Sequence, residues 1–467
     1  MECIDRFLEF EQKHSLLDKK LDGFDYWIYV RFNIYSEIEK QLLGFENISP
    51  KLSGKGKTLD SVVKEVLTAV KRSPMHKHKK CDIIFVNHER RMRLDGEDVP
   101  IYFDEIIKKY KGDYIILEPK NIFNSHYQNE RYAENTYYLD YIVNVRAAIH
   151  RRLTSFEDKE FEKDFRLILS KLEEEFNVVF DKNKLIRFVY QTKISYEINK
   201  KNYKKMLKRL KPKKIVEVVY YNNLFMALNE AAKEMNIPVF ELQHGLMGNS
   251  HIAYNFSEKR DIKCFPDKIM VFGEYWRRVT RFPIDDKNII PVGYPYIEYM
   301  KKIYGQAKTH TNNILFISQK TIGKELSRLA VSVAKKIKEE NMPYKVIYKL
   351  HPSEVPDWKE ALTELYCCRD IIEVASDSSE SIYKYFSEAV IQVGVYSTAI
   401  YEGMAFGLKT FIYNTEGCKY VRDLYEMKYA TLINNENDLF DNLEAVTEER
   451  NDFWEDDAVE NIILQIN

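Results

Sequence analysis

The sequence predicts an α/β protein with two parallel-sheet domains in series. Twelve short apolar runs recur along the chain, and helical segments separate several of them. The runs are continuously apolar and rich in β-branched and aromatic residues, which is typical of strands buried on both faces of a parallel sheet. A chain of 467 residues is long enough for about two to three domains with substantial cores.

The N-terminal segment, residues 1–75, is predicted to be helical. Its stretch DYWIYVRFNIYSEIEKQLLG repeats apolar and aromatic residues at a spacing of three to four. The basic stretch KRSPMHKHKK (Lys71–Lys80) contains a proline and predicts a linker at the end of this segment.

Residues 76–258 are predicted to form the first Rossmann-like domain. Its strands are CDIIFVNH, DYIILEP, KIVEVVYY and PVFELQHG. The helix NLFMALNEAAKEM lies between the last two strands, which makes a βαβ unit. Between about residues 124 and 212 the sequence is strongly charged with helical periodicity, and we expect a helical insertion there.

Residues 259–467 are predicted to form the second Rossmann-like domain, which ends in C-terminal helices. Its helices include KELSRLAVSVAKKIKEEN and STAIYEGMAFG. Eight apolar runs predict its strands: KIMVFG, NIIPVG, NNILFIS, YKVIYKLHP, DIIEVAS, EAVIQVG, LKTFIYN and YATLIN.

The residues that follow each predicted strand are the candidates for function, because open parallel sheets bind ligands beyond the carboxyl ends of their strands. In the first domain these candidates are Arg91, Gln243, His244 and Gly245. In the second domain they are Gly273, Ser318, Lys320, Thr321, His351, Pro352, Gly394, Ser397, Thr398 and Glu402.

Ser397 and Thr398 open a helix directly after a strand. Unpaired backbone N–H groups and the positive end of the helix dipole suit a phosphate there. Glu402, one turn later, could accept hydrogen bonds from ribose hydroxyls. The structural alternative is that Ser397 is an N-cap and Glu402 a surface acid. Ser318–Thr321 is a second strand-to-helix turn of the same kind.

His351 precedes Pro352, which favours an extended conformation at the histidine. An imidazole fixed at a strand end, with Lys349 nearby, can donate to a phosphate oxygen or stabilise a leaving phosphate. The alternative is a histidine that only closes the strand. The same two alternatives apply to His244 at the end of ELQHG.

These motifs resemble bacterial surface and capsular polysaccharide glycosyltransferases of the GT-B fold. The motifs are ELQHG, KLHP, GVYSTAIYEGMAFG, KIMVFGEYW and NIIPVGYPYIE, and they span about residues 214–415. The sequence is similar to Kdo and polysialic acid transferases and, more distantly, to CDP-glycerol glycerophosphotransferases. The resemblance implies two Rossmann-like domains that face a cleft.

The resemblance also implies roles for individual residues. His351, with Ser397 and Thr398, would bind the phosphate of a nucleotide-activated donor, and Glu402 would contact its ribose. His244 would lie on the acceptor side. Either His244 or a carboxylate that the sequence does not identify would deprotonate the acceptor hydroxyl, a task that suits a histidine whose pKa is unperturbed and near neutrality. Leu246 stands where the teichoic-acid relatives have threonine, which disfavours a glycerophosphate donor.

Metal ions, cofactors and nucleic acid are not expected as partners. The chain has no Asp-x-Asp sequence, and we expect no obligatory divalent ion and no cofactor besides the nucleotide-sugar donor. The formal net charge is −1, which argues against a dedicated nucleic-acid binder.

The sequence carries neither a signal peptide nor a long apolar segment, so we expect a cytoplasmic protein. Two basic runs, Lys71–Lys80 and Lys200–Lys214, precede strands and should lie at the edge opposite the cleft or on a flanking helix. They are either solvated faces or a patch that contacts anionic lipid at the inner face of the membrane.

The leading functional hypothesis is a glycosyltransferase. It would move a sugar from a CMP-, CDP- or UDP-linked donor to a growing cell-surface glycan or a lipid-linked glycan. One alternative is a nucleotide-sugar 2-epimerase, although no acidic cluster follows Gly394 to supply paired acid and base groups. The other is a non-catalytic nucleotide-binding subunit of a polysaccharide assembly complex.

Overall fold

The computed structural model describes residues 3–43, 59–76, 80–94, 96–121, 125–127, 130–146, 157–305, 311–377, 380–445, 447 and 452–467. The chain forms two compact units. Unit 1 comprises Met1–Gly293 and Asp457–Asn467, and unit 2 comprises Tyr294–Asp456. Each unit contains a parallel sheet with helices, so the predicted fold class is confirmed.

Unit 1 is built on a seven-stranded sheet with the order β5-β4-β1-β6-β7-β8-β9, in which all paired strands are parallel. An antiparallel hairpin, β2–β3, follows β1. The strands are β1 (Ile83–Val86), β2 (Arg91–Leu94), β3 (Glu97–Pro100), β4 (Tyr114–Glu118), β5 (Thr136–Tyr138), β6 (Lys214–Glu217), β7 (Val239–Leu242), β8 (Lys268–Val271) and β9 (Ile289–Pro291).

Unit 2 is built on a six-stranded parallel sheet with the order β12-β11-β10-β13-β14-β15. The strands are β10 (Asn313–Ile317), β11 (Lys345–Lys349), β12 (Ile372–Ala375), β13 (Ala389–Gly394), β14 (Lys409–Tyr413) and β15 (Thr431–Ile433).

Helices cover the sheets of both units. In unit 1 they are α1 (Cys3–Lys13), α2 (Tyr26–Leu43), α3 (Leu59–Lys71), α4 (Asp104–Lys109), α5 (Lys159–Phe176), α6 (Lys182–Leu210), α7 (Asn223–Lys233) and α8 (Glu274–Val279), with a π-helical turn at Tyr141–Arg146. In unit 2 they are α9 (Pro295–Tyr304), α10 (Gly323–Glu339), α11 (Trp358–Ala361), α12 (Thr363–Cys367), α13 (Ile382–Glu388), α14 (Thr398–Ala405), α15 (Arg422–Glu426) and α16 (Glu436–Asp441). The last helix, α17 (Ala458–Ile466), belongs to unit 1.

Two of the long helices of unit 1, α5 and α6, begin at side-chain caps. Asp158 accepts a hydrogen bond from the backbone N–H of Phe161 and starts α5. Asp181 does the same for Lys184 and starts α6. These carboxylates satisfy N–H groups that the helix itself leaves unpaired, which fixes where each helix begins.

A buried ion pair ties the N-terminal helices to the loop after β7. Arg31 of α2 and Glu11 of α1 are almost completely buried, and their charged groups approach to 2.6 Å. Arg31 Nη1 and Nη2 also donate to the carbonyl oxygens of Ile252 and Asn255, at 2.7 and 3.1 Å. The N-terminal segment is therefore an integral part of unit 1.

The domain boundaries differ from those predicted. β8 and β9 extend the sheet of unit 1, so the division falls after Gly293 and not near residue 258. The segment predicted as a helical insertion also contributes the edge strand β5. Short parallel strands look alike in sequence whichever sheet they join, and β5 has only three residues, so periodicity could not resolve either point.

The basic run of residues 200–214 lies on α6 and at the amino end of β6, as predicted. Part of its charge is paired with carboxylates of the chain. Lys200 pairs with Glu230 and Glu234, and Lys204 also pairs with Glu234. The run Lys71–Lys80 lies partly outside the described residues. None of the described helices is long and apolar enough to cross a membrane.

Candidate functional site

The sheet of unit 2 has a topological switch point between β10 and β13. From β10 the chain adds β11 and β12 on one side, and it then crosses to add β13, β14 and β15 on the other. Parallel sheets bind ligands in the crevice at the carboxyl ends of strands that flank such a point. The predicted residues Ser318–Thr321 and Gly394–Thr398 flank this switch point, and His351 follows the neighbouring strand β11.

Glu354 connects the turn after β10 to the turn after β11. Its Oε1 accepts a hydrogen bond from Ser318 Oγ at 3.0 Å, and its Oε2 accepts one from the backbone N–H of His351 at 2.8 Å. The carboxyl is 4% exposed, and this burial raises its pKa although both hydrogen bonds lower it. Sequence reasoning missed Glu354 because nothing in a turn sequence shows which partners a carboxylate will meet.

His351 presents an exposed imidazole at this edge. Its Nδ1 accepts a hydrogen bond from the backbone N–H of Ser353 at 3.2 Å and lies 2.7 Å from Ser353 Oγ. With Nδ1 as the acceptor, the proton of the neutral ring is on Nε2. Lys320, on the turn after β10, donates from Nζ to the carbonyl oxygen of Ser353 at 3.3 Å. The edge of the sheet therefore carries two donor groups suited to an anion.

Tyr396 connects the turns after β10 and β13 across the switch point. Its hydroxyl lies 2.5 Å from Thr321 Oγ1, and its backbone N–H donates to Gln319 Oε1 at 3.3 Å. Ser397 caps α14 by accepting a hydrogen bond from the N–H of Ala399, so its hydroxyl acts as the helix N-cap. The half-buried Thr398 follows it.

Gly394 and Glu402 occupy packed positions near this turn. A Cβ atom on Gly394 would lie 3.1 Å from Ile400 Cδ1, so a larger residue would require the Ile400 side chain to shift. Glu402 is buried, and its Oε2 accepts a hydrogen bond from the Tyr383 hydroxyl at 2.8 Å. Pro352 is exposed beside His351. Contact of Glu402 with a ribose stays a prediction.

Replacing Glu354 by glutamine is expected to lower the free energy of unfolding by about 1–3 kcal/mol. The amide can accept from only one of Ser318 and His351, so its NH2 group faces the other contact and the Ser318 hydroxyl must reverse from donor to acceptor, which weakens the present arrangement. Chemical denaturation measures the effect. Glu360→Gln, at an exposed position on α11, is the control and should change stability little; equal losses in both variants would contradict the connecting role of Glu354.

In unit 1, His244 lies directly after β7 within a cluster of aromatic side chains. Its Nε2 is 3.3 Å from the Tyr221 hydroxyl, and its Nδ1 is 3.4 Å from the Tyr254 hydroxyl. The ring of His88 stacks at a centroid distance of 6.3 Å, and the ring of His251 lies edge-on at 6.0 Å. His244 is held by its neighbours and remains half-buried.

The carboxyl of Glu241 stabilises this cluster through hydrogen bonds. Its Oε1 accepts a hydrogen bond from the Tyr254 hydroxyl at 2.5 Å and from the backbone N–H groups of Val219 and Tyr220 at 3.0 and 3.2 Å. Since Tyr254 donates to Glu241, its oxygen can accept from His244 Nδ1–H, which leaves Nε2 as the basic nitrogen. Glu241 is fully buried within β7, where sequence reasoning counted only the apolar residues.

The expectation of an unperturbed pKa for His244 is wrong. Burial lowers the pKa of His244 well below 6.5, and the neighbouring His251, His88 and Arg90 lower it further. Burial also lowers the pKa of His88 and of His251 to about 4. The imidazole of His244 is therefore neutral at physiological pH, which is the form that a general base requires. The lowered pKa also makes it a weaker base than an unperturbed histidine.

The rate of any reaction that depends on His244 should therefore fall as the solution is made acidic, with a midpoint below pH 6.5. Protonation removes the basic nitrogen only when the pH falls through this lowered pKa. Arg90→Met should move this midpoint to higher pH because a positive charge beside the cluster is removed, whereas Arg93→Met, at a side chain 61% exposed, should not. A pH–rate profile checks this prediction, and a wild-type midpoint above pH 6.5 would contradict it.

The other candidates of unit 1 have structural contacts. Gln243 is buried, donates to the carbonyl oxygen of Gly245 at 2.7 Å and accepts from the N–H of Phe272 at 2.7 Å. Gly273 was predicted in the second domain, but it precedes α8 in unit 1. Gly245 is buried after His244. Their roles in binding a substrate stay predictions.

Arg91 is not presented to solvent. Its guanidinium is 3% exposed and pairs with Glu118 Oε2 at 2.5 Å and with Glu130 Oε1 at 3.2 Å. It also lies over the ring of Tyr127, at 4.9 Å from the centroid. Since both carboxylates occupy this guanidinium, Arg91 fixes the β2 hairpin against β4, and the sequence could not distinguish this role from an exposed arginine at the rim.

Within the described residues, no group of three or more histidine, cysteine, aspartate or glutamate side chains is arranged to hold a metal ion.

No protein-family model and no curated protein sequence matches the chain. Among solved structures, the UDP-GlcNAc 2-epimerase of Methanocaldococcus jannaschii is similar, with a TM-score of 0.47 and 12% identity over 82% of this chain and 98% of the epimerase. S. aureus MnaA, in a co-structure with UDP, has a TM-score of 0.47 and 13% identity over 83% and 96% of the two chains. The wall teichoic acid polymerase TagF has a TM-score of 0.43 and 12% identity over 94% and 97%. At these TM-scores the likenesses carry no conclusion about activity.

Proposed function

We propose that this chain is a glycosyltransferase that moves a sugar from a nucleotide-activated donor to a glycan acceptor. The observation that carries the proposal is the carboxyl edge of the unit 2 sheet. There, the turns after β10, β11 and β13 meet at the switch point and are joined through Glu354 and Tyr396. This edge is where doubly wound sheets bind nucleotides.

The donor's phosphate groups suit the side chains of this edge. Phosphate oxygens can accept hydrogen bonds from His351 Nε2–H, from Lys320 Nζ and from the backbone N–H groups at the start of α14. As the bond between the anomeric carbon and the phosphate oxygen breaks, the electron pair goes to that oxygen. Hydrogen-bond donors at these positions would stabilise the negative charge on the departing nucleotide without a metal ion.

We propose His244 as the base for the acceptor. Its neutral ring would take the acceptor's hydroxyl proton on Nε2, while the acceptor oxygen forms the new bond to the anomeric carbon. The contact of Nδ1 with Tyr254, which is fixed by Glu241, would hold the ring in the tautomer that this step needs. The acceptor we propose is a cell-surface glycan or lipid-linked glycan, extended on the cytoplasmic side of the membrane.

A thermal-shift panel of CMP, CDP, UDP and GDP, with their sugars, tests the donor part of the proposal. We expect one nucleotide family to stabilise the protein and His351→Ala to reduce that shift, because the Nε2–H donor is lost. His14→Ala, at a half-buried histidine of unit 1, is the control and should keep the full shift. Absence of any nucleotide-dependent shift would contradict the proposal.

Product analysis distinguishes a glycosyltransferase from a 2-epimerase and from a non-catalytic subunit. With the stabilising nucleotide sugar and no acceptor, a glycosyltransferase leaves the configuration at C2 of the sugar unchanged. Conversion to the C2 epimer would identify a 2-epimerase instead. Nucleotide binding without turnover on any donor, with acceptor glycans present, would identify a non-catalytic subunit.

A further inference from the structure

Two glutamate side chains lie side by side inside the sheet of unit 1. Glu217 of β6 and Glu241 of β7 are partners in the parallel register, and both are fully buried. Register partners on neighbouring parallel strands point to the same face of the sheet, and such strands are only about 4.8 Å apart. Two carboxyl groups are therefore close together at a position without access to bulk water.

Neither carboxyl forms an ion pair within the described residues. Lys233 of α7 pairs with Asp267, and Arg31 of α2 pairs with Glu11. The charged and titratable side chains on the elements packed around the pair are Tyr220, Tyr221, Tyr254, Cys264, Glu230, Lys233 and Arg31. An isolated buried carboxylate takes up a proton rather than stay charged, and two adjacent carboxyls resist ionising together.

The hydrogen bonds distinguish the two carboxyls. Glu241 Oε1 accepts from the Tyr254 hydroxyl at 2.5 Å and from two backbone N–H groups. Among the described residues, Glu217 Oε1 accepts one hydrogen bond, from Asn229 Nδ2 at 2.6 Å. Three donors at one oxygen favour the ionised form of Glu241, whereas a single neutral donor favours a proton on Glu217.

Three buried oxygen atoms of these side chains lack a hydrogen-bond donor among the described residues. They are Glu217 Oε2, Glu241 Oε2 and Asn229 Oδ1. Carboxylate and amide oxygens only accept hydrogen bonds, so none of the three can serve another while both carboxyls are ionised. A proton on Glu217 Oε2 turns one of these acceptors into a donor, which is what buried polar groups require.

Electrostatics assigns the proton to the same residue. Burial and the adjacent Glu241 raise the pKa of Glu217 well above its usual 4.5, although Asn229 and Lys233 lower it. Burial also raises the pKa of Glu241, whereas the hydrogen bonds from Tyr254 and from the backbone lower it. Glu217 is therefore the later of the two to ionise as the pH rises.

We infer that Glu217 is a neutral carboxylic acid in the folded protein and a positioning residue for His244. By holding the proton of the pair, Glu217 confines the negative charge to Glu241, whose Oε1 fixes Tyr254 against His244 Nδ1. The protonation of Glu217 depends only on the fold, whereas its role in positioning His244 rests on the proposed function.

Infrared spectroscopy of the full chain tests for the proton, because the C=O stretch of a carboxylic acid is separate from the carboxylate bands. At neutral pH the wild-type protein should show a carboxylic acid band that Glu217→Gln lacks. The matched control is Glu230→Gln, since Glu230 is 4% exposed but pairs with Lys200 Nζ at 3.0 Å, so this variant should keep the band. An unchanged band in Glu217→Gln, or its loss in both variants, overturns the inference.

The stability of the protein should also depend on this proton. The folded chain keeps it and the unfolded chain releases it above about pH 4.5, so stability should fall as the pH rises from there through the raised pKa of Glu217. Between about pH 5.5 and 7, the unfolding equilibrium constant of the wild-type protein should increase about tenfold more per pH unit than that of Glu217→Gln. Equal increases in the two proteins would contradict the proton, and Glu230→Gln should keep the wild-type dependence. Should Glu217→Gln not fold, the equally uncharged Glu217→Leu replaces it in both measurements.

The pH dependence of transfer tests the positioning role. Glu241→Gln removes the charge that favours protonated His244, so the acidic midpoint of the rate should move to lower pH. Glu217→Gln removes a neutral acid and should leave this midpoint in place, and an equal movement in both variants would overturn the role.

The measurements separate this inference from the proposed function. Transfer that depends on His244, without the acid band of Glu217, would leave the transferase standing and overturn the inference. A wild-type protein that shows the acid band but transfers no sugar would leave Glu217 as a buried acid and overturn both the transferase and the positioning role.

Discussion

Replacing His244 by alanine is expected to lower the rate of sugar transfer about 100- to 10,000-fold, the usual contribution of a general base. Nucleotide affinity should not change, because the proposed phosphate donors lie on unit 2. The physical reason is the arrangement around the ring: Nδ1 contacts Tyr254, and the neutral Nε2 is the nitrogen that can take the acceptor's proton.

His244→Asn separates loss of the base from loss of structure. The asparagine amide can replace Nδ1–H as a donor to Tyr254 but offers no basic nitrogen. It should therefore unfold at the wild-type temperature and still lose transfer. His14→Ala is the matched control for removal of a partly buried histidine in the same unit. Full turnover by His244→Ala with a verified donor would show that His244 is not the base.

Replacing Arg31 by methionine is expected to lower the free energy of unfolding of unit 1 by about 3–5 kcal/mol. The change leaves the carboxylate of Glu11 buried without its countercharge. It also removes the hydrogen bonds from Arg31 to the carbonyl oxygens of Ile252 and Asn255. Because those carbonyls belong to the loop that carries His251, the variant should also reduce transfer.

Chemical denaturation of Arg31→Met measures this loss. Lys19→Met is the comparison, because the Lys19–Asp164 pair has a similar distance of 2.7 Å but side chains that are 31% and 45% exposed. A pair at the surface should contribute only about 0–1 kcal/mol. The double variant Glu11→Leu/Arg31→Met should recover part of the loss, since no unpaired charge remains. A cost for Arg31→Met no larger than that for Lys19→Met would contradict this role.

The strands were predictable because their signal is local. Each of the twelve apolar runs corresponds to a strand, and the parallel α/β class follows from their unbroken hydrophobicity. The assignment of strands to sheets was not predictable. β8 follows β7 through a long loop and could begin either unit, and only its pairing with β7 places it in unit 1. The β2–β3 hairpin was missed because RMRL and EDVP lack apolar continuity.

The candidate site was predictable to the extent that it depends on strand ends. That rule placed His244, His351 and Ser397 at the carboxyl edges where the structure has them. It could not identify Glu241 or Glu354. The importance of these two residues comes from burial and from partners distant in sequence, Tyr254 for Glu241 and Ser318 for Glu354. A polar residue within or beside an apolar run was the available signal, but it does not reveal the partner.

A crystal structure with the nucleotide that gives the largest thermal shift would show directly whether unit 2 holds the donor. We expect its phosphate oxygens to lie within hydrogen-bonding distance of His351 Nε2 and of the backbone N–H groups at Ser397 and Thr398. A nucleotide bound elsewhere, with the switch point of the unit 2 sheet empty, would contradict the proposed donor site.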